Sequence, residues 1–295
     1  MDGLSLKERY GHLFGRLSKL SHAPAKINEF NVYEEENPDT RKMIDAMVEE
    51  NLLPGSRLLG REHFADFLEQ VKSGKRGLLM AEHYSNLDLP VIFYLLEHDG
   101  GDFGKEIARR IVAISGLKLN EHDPLVRAYT EAFTRIVIYP SRSLSKVTDP
   151  EELNRGKKVN MAAMRAMDTA RRNKQIIAVF PSGTRYRPGK PETKRGVREI
   201  DSYLRIFDVM ILVSINGSCL RLSPDNPEDM LADQVFHDKV IVASSPVMEC
   251  GPFRNAILAS IDPASGVDPK QETVNRVMEL LEEQHQKYEK VKAAE

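Results

Sequence analysis

From residue 76 onward the chain alternates short, almost wholly apolar runs with longer stretches of helical periodicity. RGLLMAEH (76–83), RIVIYP (135–140), QIIAVFP (175–181), VMILVSINGSC (209–219) and DKVIVASSPV (238–247) are the apolar runs, and they read as strands. DLPVIFYLLEH (88–98), DPLVRAYTEAF (123–133), ELNRGKKVNMAAMRAMDTARR (152–172) and VREIDSYLRIF (197–207) lie between them and read as helices. KEIARRIVAIS (105–115) reads as a strand or as a helix passing into one. Strands joined through helices of this length form parallel neighbours. A run such as IIAVF has no polar face, which fits a sheet covered on both sides. The expected fold class is therefore α/β, a largely parallel mixed sheet flanked by helices.

Residues 1–56 break this rhythm. KERYGHLFGRLSKL and TRKMIDAMVEENLL are amphipathic at helical spacing, and the Pro- and Asn-containing link between them reads as loop with a short helix. They are expected to form a small N-terminal helical cap, with residues 57–295 as the α/β domain. HFADFLEQVKSG is a further helix, stopped by Gly74. TVNRVMELLEEQHQKYEKV closes the chain as a helix with Val274, Val277, Met278, Leu281, His285 and Tyr288 on one stripe.

The 295 residues carry 42 Lys plus Arg against 44 Asp plus Glu, so an anionic ligand has to be held by a local basic patch. No nucleic-acid partner is expected. The two cysteines, Cys219 and Cys250, read as buried free thiols. There is no HExxH, CxxC, EF-hand or P-loop pattern to support a metal or nucleotide cofactor. The N-terminus lacks an apolar signal region and no run of eighteen apolar residues occurs, so the expected location is the cytoplasm, with peripheral contact at a membrane left open.

In an α/β sheet, ligands bind beyond the carboxyl ends of the strands. Two strand ends there turn abruptly polar. The first runs into His83, with Asp88 five residues on in AEHYSNLDLP. A histidine whose tautomer is fixed by a carboxylate can take a proton from an attacking hydroxyl. The spacing alone is equally compatible with Asp88 as a helix cap and His83 as a polar loop residue. The second strand end runs into PSGTRYRPGK, where Arg185 and Arg187 suit bidentate phosphate binding. Ser182, Gly183 and Thr184 are candidates for an oxyanion or loop role. Arg142, in IYPSRSLSK, ends a third strand and could help hold an anion. Arg109 and Arg110 read as surface or salt-bridged, His98 as a cap, and His122 as part of a local turn. His285 has no ligand spacing.

HYSNLD (83–88) resembles the H-x4-D motif of the glycerolipid acyltransferases, and FPSGTRYRP (180–188) resembles their second signature, usually FPEGTRS. The two stand in the expected order, and the form with Ser182 and Arg-x-Arg-Pro is most similar to the soluble, plastid-type glycerol-3-phosphate acyltransferases. The resemblance covers about 59–220 well and the first 55 residues only in outline. It implies that His83 and Asp88 are the catalytic pair and that Arg185 and Arg187 hold a substrate phosphate. The family's basic pair falls loosely on Arg142 and Ser143, with one cation lost. It also implies acyl-ACP or acyl-CoA as donor and no cofactor. The acceptor would be the sn-1 hydroxyl of glycerol-3-phosphate, with 1-acyl-glycerol-3-phosphate (lysophosphatidate) as the alternative. A hydrolase or thioesterase, or an anion- or lipid-binding protein using the same cleft, are the competing classes. One departure stands out: the usual Asn before the histidine is Glu82.

Overall fold

A computed structural model describes residues 2–121 and 124–294. His122 and Asp123, and with them the turn expected at His122, lie outside the described residues. The chain begins with α1 (Leu6–Leu20), β1 (Tyr33–Glu34), α2 (Pro38–Asn51), β2 (Arg57–Leu59) and α3 (Arg61–Lys72). The central alternation is β3 (Gly77–Ala81), α4 (Asp88–His98), α5 (Gly101–Arg110), β4 (Ile111–Gly116), α6 (Lys118–Glu121), α7 (Pro124–Thr130) and β5 (Arg135–Ile138). It continues through α8 (Ser141–Leu144), α9 (Pro150–Arg172), β6 (Ile176–Val179), α10 (Ile200–Ile206) and β7 (Val209–Asn216). The remainder is the hairpin β8 (Leu220–Arg221) and β9 (Gln234–Val235), then β10 (Ile241–Ser244), β11 (Met248–Glu249), α11 (Cys250–Ser260) and α12 (Pro269–Ala293).

Among the described residues the main sheet has nine strands. Its path runs β1-β5-β4-β6-β3-β7-β10-β2, with β11 also paired to β7. The five central strands, β5 to β7 along that path, are mutually parallel. β10 and β11 run antiparallel to β7, and β1 antiparallel to β5. The sheet is thus α/β and mixed, as the alternation predicts. β3 is buried along its whole length. Its residues divide by the two-residue period of a strand. Leu79 and Ala81 face α3, α4 and α5, whereas Leu78 and Met80 face α9, α10 and α12. Gly77 is required by this packing, because a Cβ there would come within 2.5 Å of Val71 and 2.9 Å of Phe67.

Two elements differ from the expected ones, and one open alternative is decided. The link between the first two helices contains β1, a two-residue strand too short to show a period in sequence, held on the sheet edge by Val137 N–H to the Val32 carbonyl. Residues 101–110 form a helix before β4, so of the two readings of 105–115 the helix passing into strand is the one observed. α11 adds a helix where no element is expected from the sequence. Tyr10 of α1 and Ile44, Met47 and Val48 of α2 join the apolar cluster of α3 and α4. Cys219 and Cys250 are buried free thiols, and burial pushes each thiol up to about 12.

Candidate active site

The tips of β3 and β6 are neighbours in the sheet, so the two polar strand ends form one site. After Ala81 the chain leaves the ladder and turns through residues 83–87 into α4. Asp88 opens that helix, and its carboxylate is 3% exposed. It does not cap α4 through the usual side-chain bond. It folds back instead, accepting from Tyr84 N–H at 2.5 Å, Ser85 N–H at 2.8 Å and Ser85 Oγ at 2.9 Å. The same carboxylate lies 3.0 Å from His83 Nδ1. A carboxylate accepts only, so Nδ1 carries a proton, and in the neutral ring Nε2 is then the acceptor. The ring itself is stacked on Phe180 at the end of β6, 4.1 Å between centroids and 13° from parallel. The reading of Asp88 as a mere helix cap is therefore replaced by a four-bond carboxylate hub that fixes the loop and the imidazole together.

The second loop is pinned to the first. Tyr186 N–H donates to the His83 carbonyl at 2.7 Å. Gly183 has φ +65°, and its N–H donates to the Phe180 carbonyl at 2.9 Å. That N–H is engaged in a turn, which supports the loop role for Gly183 and leaves it no donor for an oxyanion. Ser182 is buried and donates its hydroxyl to the Thr184 carbonyl at 2.7 Å, so Ser182 and Thr184 also shape the loop.

The two arginines differ. Arg185 is buried and paired with the wholly buried Asp233 at the start of β9. Asn86 Nδ2 also approaches Asp233, at 3.5 Å, so this carboxylate ties both motif loops together. Burial raises the pKa of Asp233 while Arg185 opposes the rise. Arg187 pairs with Glu228, whose side chain is 68% exposed. Arg142 stands exposed on α8, beyond β5, and β4 lies between β5 and β6. Neither Asp233 nor Glu228 carried a sequence signal, because each reaches the site from a loop more than forty residues downstream.

A cleft of about 320 Å³, counting the solvent at its mouth, opens beside His83 toward α12; His83, Tyr84, Ser182, Tyr186, Lys194 and Leu281 are in its wall. Glu82, unexplained by sequence, is buried on this side. It accepts from Ile215 N–H and lies within 2.9 Å of His285 Nδ1. Burial by itself lowers the pKa of His285; the hydrogen bond and charge of Glu82 outweigh it, and the net shift is upward. A histidine whose folded pKa is raised gives its full stabilisation below the ordinary value of about 6.5 and loses it as pH climbs through the folded pKa. Thermal stability of the parent is expected to fall more steeply than that of His285→Gln as pH rises above about 6.5. Equal slopes in a melting series would remove this pair from the account.

Among the described residues no group of three or more His, Cys, Asp or Glu could hold a metal ion, and no helix is long and apolar enough to cross a membrane. Residues 64–212 match the family model described as Acyltransferase. The chain is also similar to a chloroplastic glycerol-3-phosphate acyltransferase of Arabidopsis thaliana, 28% identical over 126 residues, which are 42% of this chain. The aligned region spans about a quarter (26%) of that relative's length. With the family match extending over half the chain and containing both motif loops, the protein belongs to the acyltransferase family.

Proposed function

We propose that this acyltransferase moves a fatty acyl group from an acyl-ACP or acyl-CoA thioester to the sn-1 hydroxyl of glycerol-3-phosphate. The observation that carries the reading is the joining of two loops: a His83–Asp88 pair bonded through Nδ1, and the Arg185–Arg187 loop bonded to the backbone of His83. His83 Nε2 takes the proton of the acceptor hydroxyl as its oxygen attacks the thioester carbonyl. Asp88 holds the ring and balances the imidazolium that forms. The tetrahedral intermediate then collapses, the C–S bond breaks, and the departing sulfur takes the proton back from Nε2. The ester and a free thiol are the products, so no enzyme nucleophile and no cofactor enters.

Phosphate binding falls first to Arg187 in this scheme. Its partner Glu228 is an exposed carboxylate on a loop, held in an ion pair of the weak surface type, and an incoming phosphate can displace it. Arg185 is oriented by Asp233 and presents its remaining N–H groups from a fixed position. Arg187→Ala is expected to raise acceptor KM roughly ten- to a hundred-fold while leaving donor KM nearly unchanged. Equal effects on both substrates in steady-state kinetics would end the phosphate assignment.

The deciding experiment is an acceptor panel with acyl-ACP and acyl-CoA, with product followed by mass. Ester formation on glycerol-3-phosphate supports the proposal, and preference for 1-acyl-glycerol-3-phosphate selects the alternative acceptor. Release of free fatty acid with no acceptor requirement identifies a thioesterase. The proposed location is the cytoplasm, with membrane contact read from vesicle sedimentation of the same protein.

A further inference from the structure

The alternation along β3 puts consecutive residues on opposite faces. His83 continues the series of Leu79 and Ala81 toward α4; Glu82 continues that of Leu78 and Met80 toward α12. Glu82 is 6% exposed, and a carboxylate that deep needs hydrogen bonds to be tolerated. It has three. Oε2 accepts from Ile215 N–H at 2.9 Å and lies 2.9 Å from His285 Nδ1, while Oε1 accepts from the Tyr84 hydroxyl at 3.0 Å.

Each bond reaches a different part of the molecule. β3 pairs with β7 only as far as Ala81 opposite Val213, with Glu82 N–H adding one bond to the Val213 carbonyl. Ile215 therefore has no β3 residue to receive its N–H, and the Glu82 carboxylate takes that place. Tyr84 lies one residue past His83, and its own N–H is bound by Asp88. Its ring packs edge-on against Tyr186, whose N–H holds the His83 carbonyl. His285 comes from α12, some two hundred residues away. The carboxylate thus closes a brace around His83 from the side opposite Asp88. His285 also lies beyond residues 64–212, the span of the family match.

We propose that Glu82 and His285 are positioning residues, through which the C-terminal helix holds the tip of β3 and with it the catalytic imidazole. The proposal rests on His83 as the base. A side chain one methylene shorter, such as Asn, could not reach both β7 and α12 from this position, which accounts for the departure at residue 82.

The test uses the full chain, with His285→Ala and with His285→Asn, whose amide nitrogen can stand where Nδ1 stood. His285→Ala is expected to lower kcat about ten- to a hundred-fold at nearly constant acceptor and donor KM, since small displacements of a reacting group have effects of this size. His285→Asn recovers most of the loss. Nitrogen–proton NMR of the imidazoles, assigned with His83→Gln, reads the same coupling without substrate: the His83 ring signals move in His285→Ala and return in His285→Asn. Should His285→Ala not fold, Tyr84→Phe, which deletes one hydroxyl of the brace, gives a smaller change in the same direction. Parent-like kcat together with parent-like His83 signals overturns the proposal, and so does a loss expressed only in KM. If the parent transfers no acyl group to any acceptor, the functional reading fails, while the NMR comparison still decides the coupling.

Discussion

His83→Ala should lower acyl transfer by at least 10²- to 10⁴-fold while leaving a folded protein. The size follows from the proposed role: among the described residues His83 is the imidazole bonded to Asp88. The tolerance follows from the contacts. The substitution removes one partner of Asp88 but leaves the bonds from Tyr84 N–H, Ser85 N–H and Ser85 Oγ, so the turn between β3 and α4 keeps its hub. It also removes the stack on Phe180, worth about 0.5–1.5 kcal/mol. Asp88→Asn is a poorer probe, since it would disturb those backbone bonds together with the imidazole. Circular dichroism and a melting curve alongside single-turnover kinetics check both halves. Turnover near the parent's in a folded His83→Ala protein would remove His83 as the base.

The parallel core of the sheet was legible because burial on both faces makes β3, β6 and the first five residues of β7 a run without a polar side chain. The loop that joins His83 to Asp88 was legible because the two residues are local to each other. Their geometry depends on a turn of four residues, which sequence spacing can suggest. The partners of the loops were not legible. Asp233 sits at the mouth of a hairpin whose strands have two residues each, and Glu228 in the connection between them; neither is set by a periodic pattern. Glu82 was visible as an oddity but not as a brace. Its partners are a backbone N–H freed by the end of a strand and a histidine on the last helix, and only the pleat direction brings them together. Arg142 is a case where sequence left the place in the sheet open. It ends a strand on the same edge as the site, but a strand end has a place in the sheet order, and β4 stands between.

That difference between the two arginines sets the second large effect. Arg185→Ala is expected to destabilise the protein by about 3–5 kcal/mol, because it leaves the buried Asp233 carboxylate without its partner. A loss of that size is a large part of the stability of an ordinary domain, and it would shift a denaturant midpoint visibly. Burial already raises the pKa of Asp233, with Arg185 working against the rise. Removing the guanidinium therefore drives the carboxyl toward its neutral form, and the cost of protonating it is part of the loss. A raised acceptor KM in this variant alone would not separate phosphate binding from a disturbed loop. Arg185→Ala combined with Asp233→Asn does separate them. The second change removes the stranded charge, so stability should largely return. If Arg185 touches the acceptor phosphate, acceptor KM stays high in the double variant; if KM returns together with stability, Arg185 is an anchor for the two loops and Arg187 alone meets the phosphate.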